Sequence, residues 1–298
     1  MPAGIPLCPE NLDKKVEAPC GYTIMSKKLG QESGKEETNM NDITPEIRKL
    51  FLKYNGDIKT LLQENPNVDY LYALSDIREN LLEWYEFDQN ASLLQVGSDY
   101  GALTGLYSRR VKEVTVLDPN DNDLSFNRLR NQKQENIRYV AGELEAFEEE
   151  GFDYVVMVGS LKAPYEQQIQ KAKSLLKLEG KLILALCNRL GLKYQAGAIP
   201  DQVRLSRAEV LELLCGTEGN RGKAEFYYPM PDYRSAMALY SDHYLPGKGD
   251  LTHAILAYDY PKYLRFDLGK MYDEVCEGKQ FETFANSFLT IWSRHEEN

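Results

Sequence analysis

Residues 93 to 118 constrain this chain more than any other stretch. The apolar run Leu93-Leu94-Gln95-Val96 stops at Gly97, passes through Ser98-Asp99-Tyr100-Gly101 and restarts as a helix near Ala102; a second run, Val114-Thr115-Val116-Leu117, ends on Asp118. The pattern reads as strand, glycine turn, helix, strand and a terminal acid. A glycine turn that runs into a helix offers backbone N–H groups to a ligand that no side chain obstructs. A carboxylate at the end of the second strand faces the same crevice and is placed to accept hydrogen bonds from a ribose diol. The spacing Gly97-x-x-x-Gly101 is not that of a dinucleotide site, where G-x-G-x-x-G is expected.

The 298 residues allow one large domain or two small ones. Lys and Arg number 35 against 46 Asp and Glu, a net charge of −11 that argues against a nucleic-acid partner. The longest apolar runs, Tyr154 to Val158 and Leu182 to Cys187, suit strands and are far too short to span a bilayer. No signal-type segment opens the chain, so a cytoplasmic protein without membrane insertion is expected. Cys8, Cys20, Cys187, Cys215 and Cys276 lack C-x-x-C spacing, and neither a disulfide framework nor a metal site is expected.

Residues 1–43 are rich in Pro, Gly, Lys, Glu and Ser and read as a mobile tail. Residues 44–90 read as helices: one opens at Thr44-Pro45-Glu46 with Thr44 as cap, and a second runs from Tyr70 to Trp84. Residues 91–298 read as an α/β domain. Strands are expected at Leu93–Val96, Glu113–Leu117, Ile137–Val140, Phe152–Val158 and Lys181–Cys187, with helices at Leu103–Arg110, Asn122–Gln132 and Tyr165–Leu178. This alternation implies a parallel sheet covered on both faces. A capping box at Ser206-x-x-Glu209 opens a helix through Cys215, and Ala224–Tyr228 and Phe288–Trp292 read as two more strands.

Four phrases, taken in order, resemble one family: Leu71-Tyr72-Ala73-Leu74-Ser75-Asp76-Ile77-Arg78-Glu79-Asn80, Cys187-Asn188-Arg189-Leu190-Gly191-Leu192-Lys193-Tyr194, Tyr228-Pro229-Met230-Pro231-Asp232-Tyr233 and Asn286-Ser287-Phe288-Leu289. Together with the glycine turn they resemble the class I S-adenosylmethionine (SAM) dependent methyltransferases over roughly residues 70 to 293. More narrowly, they are similar to a bacterial branch associated with glycosyltransferases of cell-surface polysaccharides. The resemblance implies a Rossmann-like, mostly parallel sheet of seven strands with a C-terminal antiparallel hairpin strand, and an insertion around residues 230–285.

It also implies that SAM is the cofactor. Gly97 and Gly101 would flank its methionine half, with Ser98 and Asp99 between them, Asp118 would hold the ribose and Glu143 would lie near the adenine amine; an acid at Asp99 beside the methionine carboxylate calls for a cation, which Lys162 or Arg78 would supply. Four positions depart from the family's usual residues: Gln95 replaces an acid, Asp99 the middle glycine, Lys162 a polar or acidic residue, and Cys187 the acid before Asn188. Ala73 replaces a common histidine, and only Gln195 to Leu205 remain of a longer covering loop.

For catalysis the candidates are Asp232, Tyr233 and His243, the last with the right chemistry to accept a proton near neutral pH. Two readings follow. One is a SAM-dependent methyltransferase that O-methylates a small-molecule or glycan acceptor, as a homodimer or with a glycosyltransferase partner. The other, motivated by the departures, is a catalytically inactive methyltransferase-like binding module.

Overall fold

A computed structural model describes residues 43–199, 203–216, 222–257 and 264–294. The expected tail with Cys8 and Cys20, Ile43 excepted, lies outside the described residues.

Three short helices precede the sheet: α1 (Thr44–Lys53), α2 (Ile58–Glu64) and α3 (Val68–Leu74). Pro45 sits in the first turn of α1, where a missing N–H costs nothing, but Ile43 takes the cap position and Thr44 lies inside the helix. The Thr44 hydroxyl instead donates to Asp123 Oδ1 at 2.6 Å. The expected helix from Tyr70 to Trp84 is two elements. Ser75 adopts an extended backbone (φ −65°, ψ 140°) and its hydroxyl accepts from Ile77 N, so α3 ends at Leu74 and a separate 3-10 turn, Asp76–Leu81, follows. The apolar faces of these helices meet Phe126, with the Phe51 and Phe126 rings edge to face at 5.5 Å.

The strands are β1 (Ser92–Val96), β2 (Glu113–Asp118), β3 (Ile137–Ala141), β4 (Phe152–Val158), β5 (Leu176–Asn188), β6 (Arg204–Leu205), β7 (Lys223–Met230), β8 (Ala238–Ser241) and β9 (Ser287–Ser293). The remaining helices are α4 (Thr104–Arg110), α5 (Asp121–Arg130), α6 (Tyr165–Ser174), α7 (Leu192–Ala196), α8 (Arg207–Cys215), α9 (Leu268–Glu277) and α10 (Phe281–Phe284). The sheet runs β3-β2-β1-β4-β5-β9-β7-β8. Its first five strands are parallel, and β9 is antiparallel to both β5 and β7. This is the mostly parallel Rossmann-like sheet that the resemblance implies, with its C-terminal antiparallel strand inserted between β5 and β7.

Seven strands were expected, and the described residues form nine. The extra two are β6, a two-residue strand on the end of β5, and β8, which hydrogen-bonds the outer edge of β7. Both are too short to leave a clear apolar period in the sequence. A further difference lies at Leu176–Leu178, expected as the end of a helix. There α6 stops at Ser174, and Leu176 pairs with Phe152, so the chain is already extended and β5 reaches thirteen residues.

Both faces of the sheet are buried, as a parallel sheet requires. Leu94, Val155, Leu182 and Leu184 face the cluster under α6, α8 and α9, while Leu93, Val156, Ile183 and Ala185 face the cluster under α4. The capping box of α8 forms as expected, with Ser206 and Glu209 each bonded to the other's backbone. The segment 230–285 holds β8, α9 and α10. Among the described residues, no helix is long and apolar enough to cross a membrane.

Candidate active site

Strand β1 lies between β2 and β4, so the connections leave it in opposite directions and a crevice opens beyond the carboxyl ends of β1 and β4. A cavity of about 400 Å³ occupies this place. Its walls come from the glycine turn, the end of β2, the end of β4 and the loop after β7.

The turn is left-handed at four of its five residues: Gly97 (φ 88°), Asp99 (φ 46°), Tyr100 (φ 54°) and Gly101 (φ 69°). Glycine suits the outer two for a second reason as well. A Cβ on Gly97 would stand 2.7 Å from Ser160 Cβ, and one on Gly101 2.8 Å from Asn131 Nδ2. Asp tolerates the left-handed region, Tyr less so, and two such residues in succession persist only where the surroundings hold them.

The surroundings do hold them. Gln95, buried in β1, donates from Nε2 to Gly97 O at 2.9 Å and Ser98 O at 3.3 Å, and its Oε1 accepts from Thr104 Oγ1 at 2.7 Å. Asn127 Nδ2 donates to Ser98 Oγ at 3.1 Å and to Thr104 Oγ1 at 2.8 Å, and the Ser98 hydroxyl donates to Asp123 O. A carboxylate at position 95 has no proton for the two carbonyls. The glutamine that departs from the family's acid is therefore the residue this loop geometry calls for. Sequence reasoning missed Asn127 and Thr104, since nothing local links either to the turn.

Asp99 is ion-paired with Arg78, which is buried on the 3-10 turn and also donates to Tyr72 O at 3.1 Å. The like-charge problem that an acid in this turn poses for an anionic ligand is thereby removed. Arg78 Nε remains buried without a partner among the described residues, as do Ser160 Oγ and Tyr107 Oη. Burial, with the Asp99 carboxylate close by, pushes the Tyr107 phenol far above its ordinary value.

Asp118 lines the crevice and is itself positioned by backbone. Its Oδ2 accepts from Ser98 N at 2.6 Å and its Oδ1 from Asn120 N at 2.8 Å, which leaves further lone pairs on each oxygen. Gly97, Ser98, Asp99, Asp118 and Arg78 are thus brought together, and Gly101 stands directly behind them. Glu143 is not among the cavity's walls. It is exposed and lies 3.6 Å from Lys162, whose side chain is also exposed but does reach the crevice.

The three catalytic candidates part company. Tyr233 is buried at the β4 end of the cavity, and its hydroxyl lies 2.7 Å from where a Gly159 Cβ would be. Asp232 is wholly buried and faces away from solvent, its Oδ2 accepting from Lys193 Nζ at 2.6 Å and its Oδ1 from Arg234 N at 2.9 Å. Asp232 is thus set apart from the cavity, and its carboxylate anchors the loop that presents Tyr233 and Arg234. His243 sits exposed in the turn after β8, the edge strand of the sheet, and does not line the cavity. Cys187 is buried in β5, and the neighbouring Asn188 spends its amide on Thr283 O and Ala285 O.

A family model described as a methyltransferase domain matches residues 94–184. No curated protein matches the chain. Among solved structures, the chain is similar to a phosphoethanolamine N-methyltransferase of Haemonchus contortus solved with phosphoethanolamine and S-adenosylhomocysteine, at 13% identity and a TM-score of 0.47 over 86% of this chain and 51% of that one. It thus spans about half that protein's length. It is also similar to an N-methyltransferase of Bradyrhizobium japonicum in complex with S-adenosylhomocysteine, at 20% identity and a TM-score of 0.35 over 50% of this chain and 75% of that one. A third is a TehB-like SAM-dependent methyltransferase of Corynebacterium glutamicum, at 12% identity and a TM-score of 0.45 over 84% of this chain and 100% of that one. The assignment of fold rests on the strand order. By sequence, residues 94–184 match the methyltransferase-domain model, and the strand order across the sheet is Rossmann-like.

Proposed function

We propose that this chain is a SAM-dependent methyltransferase that transfers a methyl group to an oxygen of a small-molecule or glycan acceptor. The observation that carries the reading is a crevice lined by Arg78, Asp99, Asp118 and Ser160 at the carboxyl ends of β1 and β4, two of whose residues hold buried, partnerless polar atoms, Arg78 Nε and Ser160 Oγ. Buried polar atoms without partners are rare in folded proteins, and a ligand that supplies the missing bonds accounts for them.

The residues present fit SAM group by group. Asp118 has lone pairs for the two ribose hydroxyls, Asp99 a carboxylate for the α-ammonium, and Arg78 an unused N–H for the α-carboxylate. Glu143, at the rim beside Lys162, is the residue for the adenine amine. When bound, SAM supplies a methyl group already activated by a sulfonium. The protein's part is then to align the acceptor behind that carbon and to exclude water, which Tyr233 does by closing the β4 end.

Gln95, Asp99, Lys162 and Cys187 all depart from the family's residues, yet the first two are built into the turn's hydrogen bonding and the last into the core. The departures therefore fit an adapted site and do not favour an inactive module. The branch associated with glycosyltransferases, a cytoplasmic setting and a homodimer or glycosyltransferase partner belong to the same reading, supported by the four sequence phrases.

Calorimetric titration of S-adenosylhomocysteine into the full chain is the test. Saturable binding that Asp118→Ala weakens at least roughly tenfold, or about 1.4 kcal/mol, is expected. No heat at millimolar ligand would overturn the reading.

A further inference from the structure

We infer that the acceptor is a glycan of two or more sugar rings, and that the ring next to the methylated one rests on Trp84. The inference deepens the methyltransferase reading above and rests on it. Beside the crevice lies a separate groove of about 350 Å³. It is lined by Asn80, Glu83 and Trp84, from the 3-10 turn and the residues after it, and by Ala236 to Leu239 at the start of β8.

The two spaces are neighbours because the same two strips of chain line both. Arg78 lines the crevice and Asn80 the groove, two residues apart on one turn; Arg234 lines the crevice and Ala236 the groove, two residues apart in the loop between β7 and β8. Asn80 Nδ2 donates to Ala236 O at 2.9 Å, which ties the strips together. Two residues of chain span about 7 Å at most, a distance that one sugar ring bridges.

Trp84 gives the groove its chemistry. Its indole N–H donates to Leu81 O at 2.8 Å, so the ring's polar handle is spent inside the protein. The ring leans on Tyr227 at 4.7 Å, on the same sheet face as Leu239, yet Trp84 keeps 41% of its surface exposed. A held aromatic ring with open surface and no use for its own donor offers a flat apolar platform. A pyranose has the matching form, with C–H bonds on one face and hydroxyls around its rim. For the rim, Asn80 retains its Oδ1 as an acceptor. Glu83 is exposed, and among the described residues only its backbone carbonyl is engaged, by Arg110 Nη2 at 3.2 Å, so its carboxylate is open to hydroxyl donors.

Size favours a sugar over a protein partner. Seven residues line the groove, whereas a stable protein interface takes about 20 to 30 a side. The volume falls within the roughly 300–1,000 Å³ of small-ligand pockets.

The chain has two tryptophans and Trp292 is buried, so indole emission that responds to a sugar reports Trp84. The full chain saturated with S-adenosylhomocysteine is titrated with maltotriose, cellotriose, chitotriose and xylotriose, and with glucose. At least one trisaccharide is expected to shift the emission saturably, to shield Trp84 from acrylamide, to bind at least roughly tenfold tighter than glucose and, in a parallel assay, to accept label from methyl-labelled SAM. Trp84→Ala is expected to raise the KM for that trisaccharide at least roughly tenfold, and Trp84→Phe, which keeps a ring, by less; unchanged S-adenosylhomocysteine affinity shows that both variants fold. No response to any trisaccharide, glucose binding equally well, binding without transfer, or a KM that Trp84→Ala leaves alone would overturn the assignment. So would a dimer in sedimentation that Met237→Glu dissociates, since the groove would then belong to a second copy of the chain. Failure of S-adenosylhomocysteine to bind, with a trisaccharide still shifting the Trp84 emission, would instead sink the methyltransferase reading and leave the groove a sugar site.

Discussion

Lys193 Nζ lies 2.6 Å from Asp232 Oδ2, and neither side chain has any exposure to solvent. The pair ties α7, which follows β5, to the loop that follows β7 and carries Tyr233 and Arg234 into the crevice. A buried ion pair gives little net stability relative to apolar residues of similar size, yet removing one partner strands a charge in a dry interior.

Lys193→Met and Asp232→Leu should therefore each cost about 3–5 kcal/mol, while the double variant should recover most of that loss. Urea unfolding of the three proteins provides the measurement. The double variant should fold yet bind S-adenosylhomocysteine less tightly, because the loop bearing Tyr233 at the crevice has lost its anchor.

Gln95→Glu restores the acid usual in the family and takes away the donor to Gly97 O and Ser98 O. The loss should be about 1–3 kcal/mol, together with weaker S-adenosylhomocysteine binding. Chemical denaturation and calorimetry report the two effects separately. A variant that binds more tightly than the parent would contradict the role given to this amide.

Gly97 (φ 88°) and Gly151 (φ 91°) share a left-handed backbone but not their surroundings. An added Cβ meets nothing within 4 Å at Gly151, and meets Ser160 Cβ at 2.7 Å at Gly97. Gly151→Ala should cost only the backbone strain, about 1–2 kcal/mol, and leave ligand binding intact. Gly97→Ala should cost visibly more and abolish S-adenosylhomocysteine binding, as thermal melts with and without ligand would show.

Glu209 offers a test by pH. Hydrogen bonds from the Ser206 backbone and hydroxyl, helped by Arg189, hold its carboxyl below the usual glutamate value. A depressed folded value means that its contribution is present above the unfolded pKa of about 4.3 and is lost as pH falls through the lower folded value. The urea midpoint should fall between pH 5 and pH 3 by less in Glu209→Gln than in the parent, with the two curves converging at the acid end.

Much of this was legible in the sequence. Apolar runs that end on Gly97 and Asp118 located β1, β2 and the crevice, because fully buried parallel strands leave an unbroken apolar signature. What was missed depends on partners far along the chain. Leu176–Leu178 reads as the tail of a helix until Phe152 is available to pair with it. Asp232 reads as a catalytic candidate because nothing near it in sequence points to Lys193, 39 residues away. Ser75 divides one amphipathic stretch into α3 and a 3-10 turn, and that division is what brings Arg78 to Asp99. His243 attracted notice through its chemistry alone, with no spacing to indicate where it would stand.

Arg130 donates to Ala73 O and Leu74 O at 2.8 Å and to Tyr100 O at 3.3 Å, and desolvation pulls its guanidinium down to about 10, still charged at neutral pH. One side chain thus grips the end of α3 and the most strained residue of the glycine turn at once. A chain trimmed to begin at β1 would keep every strand of the sheet and lose two of the three carbonyls in that grip. The helices ahead of the sheet are foundations of the crevice, and a chimera that grafts this sheet onto another protein's leading helices should inherit the outline of the pocket without its stiffness.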